Sequence, residues 1–193
     1  RQVAATLHAR LVVCGADPWS PYDFVVAEAR RRGIDVEPAV RGAAILNGGR
    51  ATFVAVDDLI VHENVGSQFD QAFLVAHEIG HVELGDGLDS DVALSIDPAR
   101  AAESAPLGLD RVVDYGRRQR REVQMDLFAR EFLLPRNVVR VLHVDEGLSA
   151  SAIAAKLGAP FEVVVQQLLD ALLLPPVPSV VTTEHVEWPL NAL

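Results

Sequence analysis

LVAHEIGHVELGDG, residues 74–87, is the stretch from which the fold and the chemistry of this chain are predicted. His77 and His81 are four positions apart, so on a helix they lie on one face and can place two imidazole nitrogens on one metal ion. Glu78 is rotated about 100° from His77 around the helix axis, so its carboxylate lies at the edge of such a site and can accept a proton from water. Amphipathic helices also carry this pattern by chance, and a catalytic zinc site needs a third protein ligand.

Glu122, far along the chain, is the favoured third ligand. Asp126 follows one helical turn later and can accept the second N–H of a ligating histidine. Three other carboxylates fit less well. Glu83 points to the other side of its own helix, Glu131 is roughly half a turn out of phase with Glu122, and Glu103 has no acid one turn further on. The sequence therefore predicts a zinc site shared by two helices.

Two helices are predicted to carry this site. The first spans Gln68 to about Leu84, where apolar residues recur at helical spacing and Gly85 is a natural end. The second spans Arg117 to Leu134 and ends at Pro135.

Upstream of the first helix, residues 34–63 contain several short β-prone runs. They include a hairpin turn predicted at Asn47-Gly48-Gly49. The predicted fold class is α+β, with a small, mostly antiparallel sheet beside the two motif helices.

Downstream, residues 149–174 predict two helices around a turn at 158–160, which is the general shape of a helix-turn-helix. The second of these helices has no Lys or Arg, which favours packing or partner docking over reading of DNA. We predict a peptidase domain at 1–136, this helical module at 137–175, and a Pro-rich tail or linker at 176–193. Residues 86–110 are predicted to be a long surface excursion with no lasting periodicity.

Composition narrows the functional classes. The 193 residues carry a formal net charge of −10 and a pI near 5.0, which argues against a nucleic-acid surface. A single cysteine, Cys14, rules out an internal disulfide and a Cys-rich zinc site, and it favours the reducing cytoplasm. No apolar run is long enough for a membrane span, and the first residues do not show the pattern of an export signal, so we expect a protein that is not exported.

FLVAHEIGHVEL (73–84), followed by EVQMDLFAREFLLP (122–135), resembles the ImmA/IrrE-type metallopeptidases, which are gluzincins. The resemblance covers roughly residues 20–175 and implies a zincin-like peptidase core. It implies that His77, His81 and Glu122 bind zinc, that Glu78 is the general base, and that Asp126 orients a ligand. Met125 departs from the family pattern, which usually has Ala there, and the excursion at 86–110 is long for the family.

The resemblance also implies a protein substrate, such as a transcriptional repressor cut in a stress response. The β-prone run 51–62 is expected to pair with an extended peptide. Within that run, His62 is expected either to face the cleft or to be half exposed. His143 is a candidate for stabilising the oxyanion, although the sequence does not fix its direction. A zinc-containing sensor or docking module without turnover is the alternative function, and a transcription regulator acting through the C-terminal helices is a third.

Overall fold

The computed structural model describes residues 1–85, 96–100 and 117–176. All but the first residue of the predicted tail at 176–193, and most of the predicted excursion at 86–110, therefore lie outside the described residues. Within the described part, the helices and strands follow in the order α1 (Gln2–Val13), α2 (Pro21–Arg31), β1 (Asp35–Ala39), β2 (Ala51–Val54), β3 (Leu59–Glu63), α3 (Gln68–Glu83), α4 (Arg117–Leu133), α5 (Arg136–Arg140), α6 (Ala150–Leu157) and α7 (Phe161–Leu173). The predicted α+β class is confirmed.

The sheet has three strands in the order β1-β3-β2. β2 pairs antiparallel with β3, as expected for a hairpin. β1 pairs parallel with β3, so the sheet is mixed rather than mostly antiparallel. A parallel neighbour requires a crossover connection between β1 and the strand beside it, and the chain from 40 to 50 begins that crossover.

The hairpin turn predicted at Asn47-Gly48-Gly49 is wrong. Residues Ala44–Leu46 form a short 3-10 turn instead of a strand, and Asn47 ends it in the left-handed region with φ 47°. Asn-Gly favours this backbone conformation in any tight turn, so the signal does not by itself specify a hairpin. The hairpin of the sheet lies one segment later, between β2 and β3, where Asp58 also has φ 47°.

The predicted bounds of α3 and α4 agree with the structure to within one residue. α3 starts with a capping box, in which the Ser67 hydroxyl accepts from the Asp70 amide and the Asp70 carboxylate accepts from the Ser67 amide. α3 is followed by Gly85 at φ 67°, and α4 ends before Pro135. The turn predicted between α6 and α7 is also present, with Gly158 at φ 64°.

α3 lies at the centre of the molecule, between α2, α4 and the sheet. Its two ends differ: the segment from Phe69 to Gly80 is almost wholly buried, and the last turn is partly exposed. One hydrophobic core joins α1–α4 to the buried faces of α6 and α7. The division into domains at residue 136 stays a prediction. Of the helices described, none is long and apolar enough to cross a membrane.

α4 packs tightly against Gly80 of α3. A Cβ atom on Gly80 would lie 3.0 Å from Met125 Sδ and 3.0 Å from Phe128 Cδ1. Met125 is fully buried, so this larger side chain occupies the space that Gly80 leaves open. The distance between the two motif helices therefore depends on this glycine.

We expect Gly80→Val to destabilise the metal-free protein by about 1–3 kcal/mol, because two added methyl groups and a Cβ must be fitted against Met125 and Phe128. Urea unfolding followed by circular dichroism measures the change. Gly80→Ala is the matched comparison: it adds the Cβ with the same 3.0 Å contacts but no further methyl groups, and it gains about 1 kcal/mol of helix propensity, so it should be less destabilised than Gly80→Val. Equal stability of the valine variant and the parent would mean that the helices have room that these distances do not leave.

Candidate metal centre

His77, His81 and Glu122 form a cluster at the α3–α4 contact. Their candidate ligand atoms all lie within 4.8 Å of one another. His77 Nε2 is 3.2 Å from His81 Nε2 and 3.2 Å from Glu122 Oε2. Four ligands about 2.0–2.1 Å from a tetrahedral zinc ion lie roughly 3.3 Å apart, so the spacing of this cluster suits such an ion.

The burial of the cluster leaves one side of it accessible. The His77 side chain is 2 % exposed, whereas those of His81 and Glu122 are 21 % and 16 % exposed. Three protein ligands with an accessible side are the arrangement of a catalytic site, because water or substrate needs a position beside the metal.

Asp126 contacts His77, the more buried of the two histidines. Its Oδ1 is 3.0 Å from His77 Nδ1, and its side chain is 1 % exposed. With Nδ1–H donating to Asp126, a neutral His77 presents the lone pair of Nε2 to the cluster. The structure therefore brings Asp126 to the position that the resemblance implies for an orienting acid.

Glu78 is buried beside this cluster, on the same turn of α3. Burial raises the pKa of its carboxyl group to about 7; the charge of His77 opposes this rise, and Glu122 reinforces it. The backbone N–H of Phe53 in β2 faces the carboxylate and also opposes the rise. A carboxylate whose pKa is near neutral can both accept and return a proton, which is the requirement for a general base that later acts as an acid.

The pKa of His77 is also raised, but by its hydrogen-bond partners and not by burial. Burial alone would lower its pKa, but the hydrogen bonds to Asp126 and Glu122 outweigh burial and raise the pKa to about 9. The pKa of Glu122 is lowered, since its contacts with the two histidines outweigh its partial burial. In the metal-free protein at neutral pH, His77 is therefore protonated, and its positive charge lies beside Glu122 and Asp126.

Zinc binding is expected to release about one proton from His77 between roughly pH 7 and pH 9, since a metal ligand must be the neutral imidazole. Below the pKa of about 9 the proton competes with the metal, so zinc affinity should fall as pH falls, by up to about tenfold per pH unit. Calorimetric titrations in two buffers of different ionisation enthalpy measure the released proton. An affinity that does not change over this pH range would contradict the protonated state of His77.

His62 is not brought to the cluster. Its ring is fully buried under α2, where Nδ1–H donates to the Glu63 carbonyl at 3.0 Å and Nε2 accepts from the Tyr22 hydroxyl at 2.9 Å. Neither expectation, that it faces the cleft or that it is half exposed, agrees with this position. Strand alternation predicts the face of a residue but not which helix covers that face.

His143 is not brought to the cluster either. It is exposed in the π-helical turn Val141–Asp145 after α5, and its Nδ1–H donates to the Leu148 carbonyl at 2.7 Å. This bond ties the ring to its own turn, so the structure offers no support for a role of His143 at the oxyanion.

The carboxylates that fit less well than Glu122 as a third ligand do not join the cluster where they are described. Glu83 pairs with Arg32, the residue that follows α2, and the buried Glu131 accepts from the Arg136 amide and from Gln167. Glu103 lies outside the described residues. Glu122 is therefore the carboxylate that the described part of α4 presents to the two histidines.

Sequence reasoning missed two groups near the centre. The first is the backbone of Phe53, which gives no signal in a sequence because every residue carries the same N–H. The second is the segment 96–100, which falls within the predicted excursion and contacts Asp126 through Asp97 and Arg100. An Asp-Pro turn at 97–98 is visible in the sequence, but its contact with α4 depends on the tertiary fold.

The family model described as Peptidase_M78, IrrE N-terminal-like domain, matches residues 47–169. This range covers nearly two thirds of the chain and includes β2, β3, both motif helices and all three residues of the cluster. No curated protein and no solved structure matched the chain.

Proposed function

This chain belongs to the Peptidase_M78 family of IrrE N-terminal-like domains, and on that premise we propose that it is a zinc-dependent endopeptidase that cuts a specific partner protein. The observation that carries the proposal is the cluster of His77, His81 and Glu122 with the buried Glu78 beside it. The family itself supports a metallopeptidase-like function; the metal, the reaction and the substrate class are our inferences.

Zinc is the metal that suits this donor set. Two imidazoles and one carboxylate with an accessible side are typical of catalytic zinc, whereas calcium and magnesium prefer sites made of oxygen ligands. His77, His81 and Glu122 would hold the ion, and Asp126 would keep His77 in the ligating tautomer. When bound, zinc supplies Lewis-acid activation of the attacking water and of the scissile carbonyl.

Glu78 performs the proton transfers in this proposal. Its carboxylate accepts a proton from the attacking water as the new C–O bond forms, and it then delivers that proton to the leaving amine as the C–N bond breaks. The pKa of about 7 suits both steps, because the group neither binds the proton too weakly to accept it nor too tightly to return it. No covalent bond between enzyme and substrate is required.

The outer edge of β2 is the proposed platform for the peptide. The Arg50 carbonyl accepts from the Glu63 amide, and the register then makes Thr52 and Val54 the next residues bonded to β3. Ala51 and Phe53 consequently turn their backbone groups away from β3. Among the described residues β2 pairs with β3 alone, so this edge can add a strand.

The position of Phe53 supports this platform. Its backbone is turned outward from the sheet and reaches the carboxylate of Glu78. A peptide paired along this edge would therefore pass beside the general base. The backbone pairing favours an extended protein loop as substrate, and by analogy with the family a DNA-binding repressor is the first class to test.

The test is incubation of the zinc-loaded protein with purified candidate substrates, starting with proteins encoded beside it, followed by mass spectrometry of new termini. We expect one or few cuts, lost when a chelator removes the metal and regained when zinc is restored. Stoichiometric zinc without any cut in those candidates would favour the alternative, a zinc-containing sensor or docking module.

A further inference from the structure

The outer oxygen of Asp126 is held by a segment that the two-helix motif does not contain. Oδ1 of this buried carboxylate faces His77, and Oδ2 accepts from Arg100 Nε at 2.6 Å and from the Asp97 amide at 3.2 Å. A buried carboxylate needs hydrogen-bond partners for both oxygens, and these partners hold it in one orientation. Arg100 supplies the charged partner.

The turn at residues 97–100 aims both donors at the same oxygen. Asp97 accepts from the Ala99 amide through its side chain at 3.0 Å and from the Arg100 amide through its carbonyl at 3.2 Å. Asp at the first position and Pro98 at the second are the residues that favour such a turn. The turn is thus built from its own sequence and presents Arg100 as a preformed donor.

Arg130 lies four residues after Asp126 on α4 and holds the turn at residues 97–100 in place. Its guanidinium donates to the carbonyls of Pro98 and Arg100. It is almost fully buried and also donates to Gln167 at 2.8 Å and to Asp170 at 2.7 Å, both on α7. Five directed donors on a rigid guanidinium allow one side chain to hold the turn and α7 together.

From these contacts we propose that Arg100 is a positioning residue of the metal centre. By fixing Oδ2 of Asp126, it keeps Oδ1 directed at His77 Nδ1–H, and so keeps His77 Nε2 directed at the ligand cluster. Arg100 acts through Asp126 and His77 and touches neither the metal nor the substrate. The inference rests on the proposed function, because it assumes that the cluster binds zinc.

The experiment compares zinc binding by the full chain and by Arg100→Gln in a competition titration with a chromophoric chelator. Loss of an outer partner of a metal ligand typically costs 10- to 100-fold in affinity, and we expect about tenfold here because Asp97 still holds the carboxylate. The matched control is Arg41→Gln, which makes the same charge change on a side chain that is 79 % exposed. The control should bind zinc as the parent does.

A second readout separates positioning from a general loss of stability. In the zinc-loaded parent, the His77 Nδ1–H bonded to Asp126 should give a downfield proton resonance by NMR. In Arg100→Gln it should move upfield and exchange faster with water. Arg100→Lys keeps the charge but not the directed Nε–H donor, so it should bind zinc a few-fold more weakly than the parent. If Arg100→Gln does not fold, Arg100→Lys takes its place in both measurements.

The two proposals fail in different ways. If the parent binds zinc and both Arg100 variants bind it equally tightly with an unchanged His77 resonance, the positioning role is overturned and the proposed function stands. If the parent binds no zinc, the proposed function fails, and the positioning role fails with it.

Discussion

Replacing Glu78 with Gln is expected to slow peptide hydrolysis by about 10²- to 10⁴-fold and to leave the zinc content unchanged. Gln has the shape of Glu but cannot accept a proton from water. Glu78 lies beside the cluster without belonging to the three residues that form it, so the amide should not disturb the metal. The measurement pairs cleavage rate with metal content on the same preparation.

Glu83→Gln is the matched control for this variant. Glu83 lies five residues further along α3 and pairs with Arg32 outside the centre, so its replacement should leave cleavage at the rate of the parent. Continued processing by Glu78→Gln at the rate of the parent would end the general-base assignment. Loss of zinc from this variant would instead show that Glu78 supports the metal.

Glu78→Gln also has a signature in stability. The pKa of Glu78 is raised in the folded protein to about 7 from an unfolded value near 4.5, so its contribution to stability is present below the unfolded pKa and is lost as pH rises through about 7. Gln does not ionise. The metal-free variant should therefore be more stable than the metal-free parent above pH 7, and the difference should shrink toward acid pH. Thermal unfolding at several pH values measures this.

Glu122→Ala is expected to weaken zinc binding by more than about 100-fold, because even partners outside the ligand shell cost 10- to 100-fold when they are lost. Among the described residues, Glu122 is the one carboxylate of the cluster and its one member from α4. Without it, two histidines from one helix turn remain. Elemental analysis after dialysis against a weak chelator should find near-stoichiometric zinc in the parent and little in the variant.

The control for metal loss is Glu146→Ala, which removes an exposed carboxylate after α5. It should retain zinc as the parent does. Full zinc retention in Glu122→Ala would overturn the assignment of Glu122 as third ligand. The third ligand would then have to be another oxygen near the two histidines. Circular dichroism of both variants checks that the helices persist without the metal.

The sequence alone predicts much of this architecture, because the relevant signals are local. Helical spacing places His77 and His81 on one face of α3, and the phase of α4 favours Glu122 over Glu131. The C-terminal ends of the two helices follow from Gly85 and Pro135, whose conformational preferences do not depend on the rest of the fold. The two-helix site is predictable because the residues of each half lie within one helix, where helical spacing alone places them on the same face.

The surroundings of the site are decided by contacts between segments that are distant in the chain. The parallel pairing of β1, the burial of His62 under Tyr22 and the approach of Arg100 to Asp126 join residues from 24 to 40 positions apart. Local propensity carries no information on such partners, since Asn-Gly suits many turns and a strand histidine suits either face. The sequence by itself determined which residues are candidates for binding a metal ion and for accepting a proton. Packing in three dimensions decided which groups hold these side chains in place, because the orientation of a side chain depends on what lies against it.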